Sequence, residues 1–359
     1  MTHSTKKHAK IRVLVIDDSP TARDLLTALY SSEPDMEVVG SGGNGDEAMR
    51  LAHRLRPDII SMDVIMPHMD GLEATRRIMR ESPTPIVIVT ASLMQSDIDI
   101  TFEALKAGAL AAVRKPGLND NATCQEVVET IRVMSKVRVV HRWGRQERRI
   151  DVTPNSGPCI PDIIHSRTDI KIIGIASSTG GPAVLAEILG ALPADFPFPL
   201  VIVQHVTNGF SAGLAEWLNS QTRLRVTLTQ HGDFPRPGTV LLPPDDYHIQ
   251  IARNGTVELN KQPPYKGLRP SANYLFESLA KVYGARAAGI VLTGMGDDGA
   301  AGLETLHLTG GLTIAQDEQS CIVFGMPNEA IQRRAIDCIL KPNQIAQALI
   351  QLSALPTGK

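Results

Sequence analysis

The chain has 359 residues, of which 43% are hydrophobic, so it is long enough to bury two cores of ordinary size. Lysine and arginine number 36 against 38 aspartate and glutamate residues, and the formal net charge at pH 7 is -2. This balance supplies no overall field that would attract nucleic acid or lipid headgroups. The apolar run IRVLVI near the N-terminus is too short for a signal peptide or a membrane span. We therefore expect a cytoplasmic protein that neither binds nucleic acid nor inserts into a membrane.

The cysteines argue against a zinc site. They are Cys124, Cys159, Cys321 and Cys338, and no two of them form a CxxC pair. Widely spaced cysteines of this kind are typical of reduced thiols in a cytosolic protein.

Short apolar runs alternate with amphipathic stretches between residues 10 and 136. This pattern predicts five strands and five helices in an open parallel sheet. Sheets of this class carry their functional groups at the carboxyl ends of the strands. The side chains at those ends are therefore the first candidates for a site.

Acidic residues follow the first and third predicted strands. Asp17 and Asp18 end the first strand and Asp63 ends the third. Converging carboxylates repel one another, and a hard divalent cation such as Mg²⁺ would relieve the repulsion. Thr90 and Lys115 end the fourth and fifth strands, where a hydroxyl and an ammonium could hold a phosphoryl group on Asp63. The plainer alternative is a set of loop carboxylates with Lys115 as their salt-bridge partner.

This first domain resembles the receiver domain of two-component response regulators, through VLVIDDSP, MDVIMPHMDG, VTAS and RKP. The resemblance implies a flavodoxin-like fold in which Asp63 accepts a phosphoryl group from a histidine kinase. It also implies that Thr90 and Lys115 read out the phosphorylation. The Mg²⁺ ligands that it implies are Asp17, Asp18 and Asp63. One position departs from the pattern, because Ala112 stands three residues before Lys115, where the family usually has an aromatic side chain.

Residues 137–169 are predicted to be a linker. Between Lys136 and Arg149 there are six lysine or arginine residues and one glutamate, and regular periodicity fades. One interpretation is a solvated tether. The other is a docking segment for an acidic receptor tail, in which Trp143 would be the anchor.

Strands and helices alternate again in residues 170–356, which predicts a doubly wound α/β domain with a hairpin excursion near residues 247–259. The stretch IKIIGIASSTGGP predicts a buried strand, a tight turn and a helix that begins near Pro182, and it places Ser178 on the turn. Turns of this kind expose nucleophilic serines. An ordinary helix-capping serine or a phosphate-binding turn is the alternative.

Two further strand ends carry side chains that could serve Ser178. His205 follows PLVIVQ, and Asp298 lies in the glycine-rich turn after GIVLTG. Taken singly, His205 could be a polar residue whose hydrogen bonds are made within the fold, and the segment with Asp298 could be a turn or a cation-binding loop. Together the three side chains can form the nucleophile, general base and orienting carboxylate of an acyl-transfer triad.

The second domain is similar to the catalytic domain of chemotaxis protein-glutamate methylesterases of the CheB type, which are serine esterases. The motifs are SSTGGP, VQH, LRPSANYLF, LTGMGDDGAAG and FGMP, and the receiver-linker-catalytic order extends the resemblance over almost the whole chain. By this match Ser178 is preferred to Ser177, Asp298 is preferred to Asp297, and the amide of Met295 is a candidate oxyanion donor.

The resemblance implies hydrolysis of glutamyl methyl esters on chemoreceptors, with release of methanol, and deamidation of receptor glutamines. It implies activation by phosphorylation from a histidine kinase of the chemotaxis type, and no cofactor for the esterase reaction. Asp297 and the segment LLPPDDYH depart from the family pattern, and extra acid near the cleft could alter substrate preference. A rival hypothesis is a phosphorylation-dependent adaptor without catalysis, and methanol release distinguishes the two.

Overall fold

The computed structural model describes residues 10–91, 95–117, 120–137, 139 and 169–354. These residues divide into two compact units at residue 146. The predicted linker, with Trp143, lies almost entirely outside the described residues, as does Cys159. In the part of the chain that is described, no helix is both long enough and apolar enough to cross a membrane.

In the described part of the first unit, five parallel strands alternate with five helices. The strands are β1 (Ile11–Ile16), β2 (Met36–Gly42), β3 (Ile59–Met62), β4 (Ile86–Thr90) and β5 (Ala111–Arg114). The helices are α1 (Pro20–Ser32), α2 (Gly45–Leu55), α3 (Gly71–Glu81), α4 (Gln95–Lys106) and α5 (Asn121–Met134). The strand order is β2-β1-β3-β4-β5, and every pair is parallel. The predicted flavodoxin-like sheet is confirmed.

Side-chain caps decide where the helices of this unit begin. Ser19, Asn44 and Asp70 each accept a hydrogen bond from the backbone amide three residues later. Such caps satisfy amides that have no partner inside the helix. Strands β3 and β4 are buried along their whole length, as expected for a parallel sheet with helices on both faces.

The second unit contains a larger parallel sheet and a separate hairpin. Its strands are β6 (Ile172–Ser177), β7 (Leu200–Gln204), β8 (Arg225–Leu228), β9 (Thr239–Leu242), β10 (His248–Ile251), β11 (Val257–Asn260), β12 (Ala287–Val291), β13 (Leu312–Gln316) and β14 (Cys338–Leu340). Its helices are α6 (Gly181–Ala191), α7 (Ser211–Gln221), α8 (Ala272–Val282), α9 (Ala300–Leu308), α10 (Met326–Gln332) and α11 (Pro342–Ala354).

Strand β6 lies inside the sheet of the second unit, where the winding direction reverses. Among the described residues the order is β14-β13-β12-β6-β7-β9-β8, and all pairs are parallel. Open sheets of this class bind ligands in the crevice at such a switch point. Strands β10 and β11 form an antiparallel pair, so the predicted hairpin is confirmed.

Two strands of this sheet, β13 and β14, were not predicted. Strand β14 has only three residues, too few to show a period, and β13 is a buried five-residue run. A short apolar run cannot be assigned to strand or helix by periodicity alone. Helices α8 and α9 cover the face of the sheet near β6 and β12, through side chains that are fully buried. These include Phe276, Leu279 and Leu303.

Candidate active site and phosphoacceptor site

Three carboxylates and one ammonium meet at the strand ends of the first unit. Carboxylate oxygens of Asp17, Asp18 and Asp63 all lie within 4.8 Å of one another. The Nζ atom of Lys115 lies 2.6 Å from Asp17 Oδ2 and 2.7 Å from Asp63 Oδ2. Asp17 and Asp63 are buried, whereas Asp18 is exposed. The structure therefore brings the predicted acidic residues together with Lys115.

Thr90 is the neighbour of Lys115 at this edge of the sheet. The Lys115 amide donates to the Thr90 carbonyl oxygen at 2.7 Å, and Thr90 is buried. Ala112 lies opposite Ile88 in the β4-β5 pair. The position where the receiver family usually carries an aromatic side chain thus holds only a methyl group.

The charges of this cluster are set by burial and by their close contacts. Burial raises the pKa of the Asp63 carboxyl above its ordinary value, and the hydrogen bond and charge of Lys115 offset only part of this effect. Burial opposes the charge of Lys115, but its hydrogen bonds to Asp17 and Asp63 outweigh burial and raise its pKa. Hard cations such as Mg²⁺ prefer oxygen ligands. The three carboxylates therefore fit a divalent cation.

Ser178 lies on the turn that joins β6 to α6. Gly180 has a φ of 78°, a left-handed conformation that glycine adopts without steric cost. The Ser178 amide donates to the Thr293 carbonyl oxygen at 3.0 Å, which ties this turn to the loop after β12. Ser178 is half-buried, whereas Ser177 is fully buried and its hydroxyl donates to Gln204 Oε1 at 2.6 Å. Of the two serines, Ser178 is the accessible one.

His205 and Asp298 are joined directly. His205 Nε2 lies 2.8 Å from Asp298 Oδ2, and the Asp298 side chain is only 1% exposed. Asp298 also accepts hydrogen bonds from groups at the start of α8. These donors are Ser271 Oγ (2.5 Å), Ala272 N (2.7 Å), Asn273 N (3.3 Å) and Asn273 Nδ2 (3.0 Å). The first amides of a helix have no partner within it and favour a negative charge.

These contacts keep Asp298 ionised and fix the tautomer of His205. Burial opposes the charge of Asp298, but hydrogen bonds from His205, Ser271 and the Ala272 amide outweigh it, so the pKa of Asp298 lies below its ordinary value. An ionised carboxylate can only accept hydrogen bonds. In the neutral ring, Nε2 of His205 must therefore carry the hydrogen, and Nδ1 is left to accept a proton.

The loop between β12 and α9 carries the other two predicted residues. The side chain of Met295 is 48% exposed, and its amide donates no hydrogen bond to any described residue. Asp297 Oδ2 lies 2.5 Å from Lys266 Nζ, and the Lys266 side chain is 62% exposed. The extra acid at position 297 is thus paired with a lysine from the loop between β11 and α8.

The two acidic residues of the segment LLPPDDYH are also paired. Asp245 accepts a hydrogen bond from Ser211 Oγ at 2.6 Å. Asp246 Oδ1 lies 2.5 Å from Arg269 Nη2, and its Oδ2 lies 3.3 Å from Lys261 Nζ. Asp246 thus pairs with two basic side chains, whereas the partner of Asp245 is an uncharged hydroxyl, so the effect of this segment on substrate preference stays a prediction.

Several buried polar residues that support the site were given no role by the sequence analysis. Gln204 Nε2 donates to the carbonyl oxygens of Ser178 (2.9 Å) and His205 (2.8 Å). Thr293 Oγ1 donates to the Thr179 carbonyl oxygen at 3.0 Å, and the Thr293 amide donates to Gln316 Oε1 at 2.8 Å. The available signal was a glutamine at the end of a buried strand, which β7 and β13 share.

Comparisons with known proteins agree with this geometry. The family model described as "Response regulator receiver domain" matches residues 13–127, and "CheB methylesterase" matches residues 173–349. A protein of Syntrophus aciditrophicus named protein-glutamate methylesterase/protein-glutamine glutaminase 1 is 42% identical over 346 residues, which cover 96% of this chain and 98% of the relative. The chain belongs to the CheB methylesterase family.

Other members of the family support the assignment of both units. A Myxococcus xanthus relative, protein-glutamate methylesterase/protein-glutamine glutaminase 4, is 44% identical over 329 residues, which cover 90% of this chain and 92% of the relative. The crystal structure of the Thermotoga maritima CheB methylesterase catalytic domain matches with a TM-score of 0.50 and 38% identity, and the match covers 51% of this chain and 98% of that chain. The resemblance inferred from the motifs is confirmed, while the roles of individual residues remain predictions.

Proposed function

We propose that this member of the CheB methylesterase family hydrolyses glutamyl methyl esters on chemoreceptors and deamidates receptor glutamines, under the control of phosphorylation at Asp63. The observation that carries the esterase proposal is the 2.8 Å bond between His205 Nε2 and Asp298 Oδ2, with His205 linked through the side chain of Gln204 to the backbone of the accessible Ser178. This bond orients a general base and leaves its second nitrogen for the serine proton. Relatives that match at least 90% of the chain carry the methylesterase and glutaminase names.

In the first half of the reaction, Ser178 Oγ attacks the side-chain carbonyl carbon of the glutamyl ester while Nδ1 of His205 takes the hydroxyl proton. Asp298 stabilises the imidazolium that forms. The negative oxygen of the tetrahedral intermediate needs positioned donors, and the unused amide of Met295 is one candidate. The bond to the methoxy group then breaks, His205 returns the proton, and methanol leaves.

In the second half, a water molecule replaces methanol. His205 takes a proton from this water while the water oxygen attacks the carbonyl carbon of the glutamyl-Ser178 ester. The bond to Ser178 Oγ then breaks, His205 returns the proton to this oxygen, and the glutamate side chain is released. A glutamine side chain follows the same course, with ammonia as the leaving group instead of methanol. Both activities therefore need one site and no further catalytic residue.

Control of this chemistry lies in the first unit. Asp63 accepts a phosphoryl group from a histidine kinase of the chemotaxis type, and a Mg²⁺ ion held by Asp17, Asp18 and Asp63 would neutralise charge that develops in the transfer. Lys115, which already contacts Asp63 at 2.7 Å, pairs with the added phosphoryl oxygens. Thr90 lies beside Lys115 and reports the new charge through its hydroxyl.

The proposal is tested by methanol release from membranes that carry methylated chemoreceptors, with and without acetyl phosphate. We expect release by the wild type, stimulation by the phosphodonor, and loss of nearly all of the rate in a Ser178→Ala variant. Ser353→Ala is a matched control, because this hydroxyl donates only to the Ile350 carbonyl oxygen on α11. Absence of methanol release by the phosphorylated wild type would favour the adaptor hypothesis, and full activity of Ser178→Ala would remove Ser178 from the triad.

A further inference from the structure

We infer that Gln204 is a positioning residue that holds the serine turn and His205 at a fixed separation. The inference rests on the proposed function, which gives Ser178 and His205 their catalytic roles. Gln204 is the last residue of β7 and is 4% exposed. Its side chain accepts a hydrogen bond from Ser177 Oγ at 2.6 Å and donates to the carbonyl oxygens of Ser178 and His205 at 2.9 and 2.8 Å.

The backbone pairing of β6 and β7 ends where the side chain of Gln204 begins to bridge them. Ser177 lies opposite Gln204, and the His205 amide donates to the Ser177 carbonyl oxygen at 3.0 Å. Among the described residues, no backbone hydrogen bond joins the two segments beyond this one. The Gln204 amide thus continues the connection by one residue, and it does so at the two residues assigned to catalysis.

All the hydrogen-bonding groups of the Gln204 amide have partners. Both Nε2 hydrogens are used by carbonyl oxygens, and Oε1 is used by a hydroxyl. The reversed amide would point an oxygen at two carbonyl oxygens, so the partners determine the orientation. A side chain at Gly181 would collide with this arrangement, because an added Cβ would lie 2.0 Å from Gln204 Oε1. The start of α6 therefore leaves room for the amide.

Proton transfer from Ser178 to His205 depends on this separation. Among the described residues, the Ser178 hydroxyl makes no hydrogen bond of its own, so the backbone sets the point from which it reaches out and no side-chain partner corrects an error in that point. A displacement of about 1 Å in a catalytic group can cost ~10²-fold in rate. Gln204 holds both backbones at the catalytic residues themselves, through the carbonyl oxygens of Ser178 and His205.

Two variants of Gln204 test this role. Gln204→Glu keeps the size of the side chain but replaces the donor with an oxygen that faces two carbonyl oxygens, and Gln204→Met removes all three hydrogen bonds. We expect kcat for methanol release to fall ~10²-fold in both, while KM changes by less than about threefold, because geometry is disturbed and substrate binding is not. Gln351→Glu makes the same charge change at an exposed position of α11 and should leave kcat unchanged.

A third variant separates the donor bonds from the acceptor bond. Ser177→Ala removes only the hydrogen bond to Oε1 and leaves both donor bonds in place, so kcat should fall less than in the Gln204 variants, by no more than roughly tenfold, the factor that corresponds to the stability contribution of one neutral hydrogen bond. Circular dichroism melts confirm that each variant is folded at the assay temperature. Near wild-type kcat in folded Gln204→Met, or an equal loss in Ser177→Ala and Gln204→Glu, would overturn the inference.

A second measurement does not depend on the substrate. A fluorophosphonate reagent modifies an activated serine: Oγ bonds to phosphorus, fluoride leaves, and the proton passes to the histidine. We expect labelling of Ser178, followed by mass spectrometry, to slow ~10²-fold in Gln204→Glu. If the wild type is labelled but releases no methanol, the proposed function fails and the labelling rates still decide the role of Gln204. Equal labelling rates in wild type and Gln204→Glu would refute that role.

Discussion

Replacing Asp298 with asparagine exchanges one carboxylate oxygen for an NH₂ group, at a position where every hydrogen-bonding neighbour is a donor. Oδ1 accepts from Ser271 Oγ and from two groups of Asn273, and Oδ2 accepts from the Ala272 amide and His205 Nε2. If the new NH₂ group takes the Oδ1 position, it faces the donors of Asn273. If it takes the Oδ2 position, it faces the Ala272 amide, and Nε2 of His205 must become an acceptor.

Each orientation therefore leaves at least one buried donor without an acceptor, which costs about 1–3 kcal/mol of the free energy of unfolding at pH 7. In a domain of this size, each kcal/mol lowers the melting temperature by roughly 2–4 °C. The second orientation also puts the hydrogen of His205 on Nδ1, where it cannot take the Ser178 proton. The wrong tautomer lowers kcat by about 10⁴-fold in triads of this type.

The stability effect should depend on pH in one direction. Because the folded pKa of Asp298 is lowered, its ionised form stabilises the fold above its unfolded pKa of about 3.9, and this contribution is lost as pH falls through the folded pKa. The difference in unfolding free energy between wild type and Asp298→Asn is thus fully present at neutral pH and shrinks below about pH 4.

The assay combines thermal melts with kcat for methanol release. Asp297→Asn is the matched control, because within the described part of the chain this neighbouring carboxylate pairs only with the exposed Lys266, and a surface pair contributes about 0–1 kcal/mol. The control should keep its catalytic rate. Wild-type kcat in Asp298→Asn, or inactivity of Asp297→Asn alone, would show that the triad acid has been assigned to the wrong residue.

Two further predictions concern the first unit. Acetyl phosphate should raise methanol release by the wild type but not by Asp63→Asn, which lacks the anionic acceptor, and equal stimulation of both would exclude Asp63 as the control point. Gly71→Ala should lower the melting temperature of this unit, because the added Cβ would lie 2.1 Å from the Asp63 carbonyl oxygen and such overpacking costs about 1–3 kcal/mol. Gly117→Ala is the control, because the nearest atom among the described residues lies 4.0 Å from its added Cβ, and equal melting temperatures for the two variants would contradict the clash.

The residues at strand ends could be predicted from the sequence because a parallel sheet brings its carboxyl ends to one edge. This rule was sufficient to group Asp17 with Asp63, and Ser178 with His205. It could not find Asn273, which reaches Asp298 from the start of a helix 25 residues earlier in the chain. Helix starts have no fixed place relative to strand ends, so such contacts depend on how α8 packs.

The sequence also could not predict which basic side chains pair with the acidic residues of the second unit, because these contacts depend on how the loops pack. The sequence shows acidic residues at positions 297 and 246, and these indicated extra negative charge near the cleft. Their partners Lys266 and Arg269 come from a loop 31 and 23 residues away, and only the folded loop shows that each of these two carboxylates pairs with a basic side chain. Sequence patterns give the type of charge at a position, whereas the net field of a cleft depends on distances between segments.

Asp298 accepts hydrogen bonds from the first amides of α8, so local unfolding of the first turn of this helix would affect catalytic activity. The Ala272 amide donates to the carboxylate that orients His205, and the Asn273 amide is shared between this carboxylate and Ser271 Oγ. Opening of this turn would release Asp298, so a molecule in the open state has no oriented base. Hydrogen exchange at these two amides measures how often that state is visited. The exchange rates of two backbone protons would thus report, without any substrate, the fraction of molecules whose catalytic machinery is assembled.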